Sequence, residues 1–339
     1  MAHALLSPSA AARWARCPAS VVLTKDLPDE SSPAAEEGTR AHRYAELAVR
    51  EWFAALGEDS PCSGYLTLTE SEKAELAARR ENAPEEMTEA VQVYVKTISD
   101  LCEEIEGPLC YVDVEHALCV SGITTEPRAF GTADFVMLKG TTLYVVDFKY
   151  GAGVKVPVAG NRQLEIYMLA ALEELEFFYE VRHIGVAIVQ PRMQNVVKSN
   201  VAGLDHVGET KESFNKAGAR ALALVEAGPE NIDPSNFKCC EEACRFCRAK
   251  ATCPAMLATL EKATLQDFED APENEKAELS PAVIATIKAI PVPTTPESLS
   301  AAYGYVPLIR QWCDAIDKRV FDQLRGGSEV PGYKLVAGR

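Results

Sequence analysis

The chain has 339 residues, 47% of them hydrophobic and 25% charged, with a formal net charge of −16. These are globular proportions, which exclude wholesale disorder, and no apolar run approaches the roughly 20 residues of a membrane-spanning helix. Acidity also argues against nucleic acid, whose phosphates normally meet a Lys/Arg surplus, yet residues 26–106 alone carry −13 and everything else only −3.

The N-terminal run MAHALLSPSAAARWARC has no basic start followed by an apolar stretch, so no signal peptide is expected. The 11 cysteines are then expected in a reducing, cytoplasmic setting, where they mean metal, cluster or core rather than disulfides. Ser7-Pro8-Ser9 reads as the start of a short helix through Trp14, and 24–34 as a polar loop. A helix is expected over 36–56, with Ala41, Tyr44, Ala45, Ala48 and Trp52 along one side. Residues 70–106 read as helix interrupted at Pro84 and rich in carboxylates, and 57–106 as a solvated helical insertion.

From 109 onward the composition turns β-branched and aromatic. Strands are expected at 109–120, 130–140 and 142–151, with Lys139-Gly140-Thr141-Thr142 as a hairpin turn. A helix at 161–179, strands at 183–190 and 193–201, and a helix at 209–227 follow. After the cysteines of 239–253, residues 254–325 read as mostly helical around a Pro-rich break at 289–295, with Trp312 and Phe321 on apolar faces. This order specifies an α/β fold with helical decorations. The expected organisation is 1–56 (N-terminal helices), 57–106 (insertion), 107–237 (α/β core), 238–256 (cysteine region) and 257–339 (helical C-terminal region).

Two neighbouring strands carry Asp134 and Asp147-Phe148-Lys149. Side chains two apart in a strand share a face, so Asp147 and Lys149 emerge together while Phe148 packs into the opposite layer. Asp134 can approach the same point. Two carboxylates and a carbonyl make a hard oxygen site suited to Mg²⁺ or Mn²⁺, and a lysine beside it can orient water and offset charge on a phosphorane-like transition state. Gln163 and Tyr167, four apart, share a face of the next helix. A lone Asp-x-Lys is usually a surface ion pair; this one ends an apolar strand, where a charge pair is costly.

Cys244-x-x-Cys247-x5-Cys253 supplies three thiolates, with Cys239, Cys240 or the distant Cys17 as the fourth. Four thiolates suit either zinc or an iron–sulfur cluster. Cys62, Cys102, Cys110, Cys119 and Cys313 read as ordinary buried or partly buried thiols.

The order Gly38-Thr39-x-x-His42, Glu115, Gly131-Thr132-Ala133-Asp134, Asp147-Phe148-Lys149 and Gln163-x-x-x-Tyr167 resembles the RecB-like branch of the PD-(D/E)XK nuclease superfamily. The resemblance covers about residues 5–255, and RWxxCPxS near the start and PGYKLVAGR at the end are similar to phage-borne RecB-like nucleases. It implies a restriction-endonuclease-like core, a mixed central sheet flanked by helices. It further implies that His42, Asp134, Asp147 and an extra acid, Glu115, bind Mg²⁺ or Mn²⁺, that Lys149 assists hydrolysis, and that Gln163 and Tyr167 support the site. Relatives of the AddB and CRISPR-adaptation type hold a 4Fe–4S cluster on one N-terminal and three C-terminal cysteines. By position these are Cys17, Cys244, Cys247 and Cys253, which favours the cluster over Zn²⁺.

The leading expectation is therefore a metal-dependent deoxyribonuclease, an exonuclease acting on DNA ends or single strands. Arg13, Arg16, Lys155, Arg162, Arg192 and Lys198 are candidates for the DNA path. The alternatives are a non-catalytic DNA-binding or scaffold protein on the same fold, working with a phage replication or recombination protein, and a zinc-stabilised regulatory protein. No membrane partner is expected.

Overall fold

A computed structural model describes residues 4–28, 32–56, 66–265 and 295–335. The helices among them are α1 (Ala11–Trp14), α2 (Ala19–Thr24), α3 (Pro33–Ala55), α4 (Glu70–Asn82), α5 (Glu85–Glu104), α6 (Ser121–Thr124), α7 (Arg162–Leu175), α8 (Val207–Ala227), α9 (Glu241–Cys244), α10 (Pro254–Leu265) and α11 (Pro296–Arg325). The strands are β1 (Leu109–Cys119), β2 (Phe130–Lys139), β3 (Thr142–Phe148), β4 (His183–Gln190) and β5 (Asn195–Lys198). The chain divides into two compact units, Met1–Ala15 with Pro28–Leu222, and Arg16–Leu27 with Ala223–Arg339.

The first unit is built on one mixed sheet in the order β1-β2-β3-β4-β5. Neighbours are antiparallel except β3 and β4, which run parallel. A parallel pair needs a long crossover, and α7 supplies it. The two-residue β2–β3 turn depends on Gly140, whose φ is +57° and whose absent Cβ would lie 2.6 Å from the Glu106 carbonyl oxygen. Local capping fixes the helix starts. Ser32 accepts from the Ala35 amide ahead of Pro33 at the first turn of α3. Thr69 and Glu72 form a reciprocal capping box on α4. The Asn161 side chain accepts from the Gln163 and Leu164 amides of α7.

One face of the sheet (Val112, Val114, Phe135, Met137, Tyr144, Val146, Phe148, Ala187, Val189) packs against α3 and α5. The alternate residues Val136, Leu138, Leu143 and Val145 are buried as well, and α7 packs on β1 to β4. Helix α5 corrects the sequence reading. It is no solvated insertion: Met87, Ala90, Val91, Tyr94, Ile98 and Leu101 are all buried in this core. Their three- and four-residue spacing is an apolar stripe; the carboxylates on the other face dominated the composition and concealed it. The opening residues of the supposed insertion, 57–65 with Cys62, lie outside the described residues, as do 289–294 of the Pro-rich break.

In the second unit, Cys244, Met256 and Leu308 form a buried cluster with Cys239, Cys253 and Trp312 against it. Cys17, Ala19 and Ala243 form another, joined by Phe237 and Cys240. Trp312 thus packs as expected, whereas Phe321 is 52% exposed. The ten described cysteines are all free. Cys119 and Cys313 are exposed rather than buried, since each falls on a solvent-facing position of its element. No described helix is long and apolar enough to cross a membrane.

Candidate active site

The antiparallel register that pairs Phe135 with Val146 sets Asp134 across from Asp147 at the end of the β2–β3 ladder. Asp134 is fixed at both oxygens: Oδ2 accepts from the Phe148 amide at 2.6 Å, and Oδ1 lies 3.2 Å from His42 Nδ1. Lys149 follows the last residue of β3 and continues the parallel ladder through its amide to the Val189 carbonyl. Its Nζ donates to Asp147 Oδ1 at 2.9 Å and to Gln163 Oε1 at 3.1 Å. Asp147 is 2% exposed, and its Oδ2 has no hydrogen-bond partner among the described residues.

His42 enters from α3 with its ring edge-on to Phe148, centroids 5.4 Å apart. Glu115 lies in β1 between the pairs Val114–Phe135 and His116–Ala133, opposite Asp134, and its carboxylate comes within 3.7 Å of His42 Nδ1. It does so with φ at +54°, a left-handed conformation rare for a non-glycine residue inside a strand. Tyr167 is buried one turn along α7 from Gln163. Gly131 makes room for it: a Cβ there would lie 2.8 Å from both Tyr167 Cε1 and Pro8 Cγ.

Charges in this pocket are mutually dependent. Burial pushes the His42 imidazole down, but the Asp134 and Glu115 carboxylates outweigh it and bring the group up to about 10. Burial raises Asp147 to about 6, with Asp134 adding to the rise and Lys149 opposing it. Asp134 is raised by burial but held low overall by His42 and Lys149. Burial disfavours the Lys149 ammonium, yet Asp147 and Asp134 keep it charged. Burial also raises Glu115.

Every residue expected at this site from the sequence is brought together here. His42, Glu115 and Asp134 offer ligand atoms within 4.8 Å of one another, and Asp147 Oδ2 is a buried oxygen left over. Carboxylates with a single imidazole are the donor set of a hard, Mg²⁺- or Mn²⁺-type ion, so the residues fit such a metal. Sequence reasoning missed Tyr94 of α5. It is 1% exposed and its ring stacks obliquely on Phe148 at 4.8 Å. Nothing in the sequence sets it apart from the other apolar-stripe residues of α5.

Most of the basic residues proposed for a DNA path are engaged within the protein. Arg192 pairs with Glu86 and Glu37 and lies over the Tyr150 ring. Lys198 pairs with Glu104, and Arg162 pairs with Glu165 over Phe214. Lys155 is exposed.

In the second unit, Cys17, Cys239, Cys244, Cys247 and Cys253 line one cavity with Phe237 and Met256. Cys239 Sγ lies 3.8 Å from Cys244 Sγ and 3.6 Å from Met256 Sδ. Cys240 occupies the N-cap position of α9 without a side-chain capping bond and packs beside Cys17 and Ala243. A cavity walled by five thiols fits a thiolate-bound metal or cluster.

Fold and site define an α/β protein with a buried histidine–carboxylate–lysine centre in one unit and a thiol-lined cavity in the other. A family model described as "Protein of unknown function (DUF2800)" matches residues 3–339, and the chain belongs to that family.

Proposed function

We propose that the protein is a metal-dependent deoxyribonuclease of the PD-(D/E)XK type, acting as an exonuclease on DNA ends or single strands. The observation that carries this reading is the convergence of Asp134, Asp147 and Lys149 at the end of one β-hairpin, completed by His42 and Glu115 from elements remote in sequence. Asp134, Asp147, His42 and Glu115 would hold Mg²⁺ or Mn²⁺, which when bound supplies Lewis acidity to the scissile phosphate and lowers the pKa of water. Lys149, kept cationic by Asp147 and Asp134, is a donor rather than a base; it orients the attacking water and offsets negative charge as the phosphate becomes five-coordinate. Gln163 fixes the ammonium's direction, and Tyr167, one turn further on α7, supports the same face of the site. Asp147→Ala abolishes cleavage of linear DNA while the folded circular-dichroism spectrum persists; retained cleavage overturns the assignment.

The second part of the proposal is a structural 4Fe–4S cluster on Cys17, Cys244, Cys247 and Cys253. The support is that the Arg16–Leu27 segment groups with the C-terminal residues rather than with its sequence neighbours, and that all four thiols line one cavity. Anaerobically purified protein is expected to be brown, with iron and acid-labile sulfide near four per chain. Colourless protein with stoichiometric zinc contradicts the cluster.

A further inference from the structure

Helix α5 buries two polar side chains, Thr97, whose hydroxyl donates to the Val93 carbonyl, and Tyr94. Its ring lies on Phe148, the residue between Asp147 and Lys149 whose amide holds Asp134. The hydroxyl is buried and has no hydrogen-bond partner among the described residues. It sits in the electrostatic field of Asp134, Glu115 and Asp147, in that order, and burial holds it well above the ordinary tyrosine range, so it remains a neutral donor. Buried hydroxyls are normally satisfied. A phenylalanine would fill the same stacking position without leaving an unpaired oxygen, so packing alone gives no reason for the hydroxyl.

We propose that Tyr94 is a positioning residue of the metal site, its hydroxyl donating through one bridging water to the Asp134–Glu115 carboxylates and thereby fixing them for the cation. Outer hydrogen bonds of this kind hold ligating carboxylates in orientation, and their loss typically weakens metal binding by 10–100-fold. The water would satisfy a buried donor that has no partner among the described residues. It also couples α5 to metal affinity with no first-contact ligand on that helix. This inference rests on the metal-site reading above.

Calorimetric titration of the purified full-length chain with Mn²⁺, alongside thermal unfolding without metal, tests it. Tyr94→Phe is expected to bind Mn²⁺ about tenfold more weakly while its metal-free melting temperature equals or exceeds that of the wild type. A purely structural tyrosine would lower the melting temperature and leave the affinity alone. Tyr150→Phe is the control: its hydroxyl is likewise unpartnered, but the ring lies under Arg192, and its Mn²⁺ affinity is expected to match the wild type. Wild-type affinity in Tyr94→Phe overturns the role of Tyr94 alone, as does an equal loss in both variants. A wild-type protein that takes up no Mn²⁺ overturns the metal-site reading together with this inference.

Discussion

Glu115 illustrates how much of this site is decided at single residues. A left-handed φ of +54° at a glutamate inside a strand costs of order 1–3 kcal/mol, and the carboxylate it delivers beside His42 is what the strain obtains. Glu115→Gly removes that strain, while the extra freedom of glycine in the unfolded chain costs only about 0.4–1 kcal/mol. The glycine variant is therefore expected to be about 1 kcal/mol more stable than Glu115→Ala in urea unfolding, with both binding Mn²⁺ more weakly than wild type. Equal stabilities would show that position 115 is not strained. The residue types of the site were legible in the sequence because Asp134, Asp147 and Lys149 interrupt apolar strands, where charges are conspicuous. The φ of Glu115 was not legible, since no glycine marks it. Tyr94 was hidden for the opposite reason: it sits among apolar residues as one more core aromatic.

At the scale of elements, the strands and their turn followed directly from β-branched runs and the Gly140 turn, and α7 falls within the helix expected over 161–179. Helix α5 did not. Its acidic face set the composition, while the buried stripe Met87–Ala90–Val91–Tyr94–Ile98–Leu101 carries the packing. The consequence is measurable. Ile98 is 0% exposed, so Ile98→Ala is expected to cost about 2–5 kcal/mol, whereas Glu103→Ala, on the exposed face of the same helix, stays within about 0.5 kcal/mol. Comparable urea midpoints for the two would return α5 to the periphery. The same geometry means that α5 cannot be excised without opening the layer beneath Phe148 and the site it supports.

For the whole molecule, the charge of −16 has become a matter of placement. Much of the −13 in residues 26–106 lies on α3, α4 and α5, and part of it is held in ion pairs: Arg43 with Glu46 and Glu75, Arg50 with Glu46 and Glu72, Arg79 with Glu75. Two of these pairs, Arg43–Glu75 and Arg50–Glu72, join α3 to α4. Three of the acids, Glu115, Asp134 and Asp147, belong to the proposed metal centre, so the net charge does not oppose the proposed nuclease. The most direct test of the central claim is a Mn²⁺-supplemented digestion by purified protein of end-labelled linear DNA and of the same sequence as a covalently closed circle. The account predicts mononucleotides or short oligonucleotides from the linear substrate, an intact circle, and no product from either with Asp147→Ala. Linear DNA left whole by the wild-type protein, or degraded equally by Asp147→Ala, would contradict it.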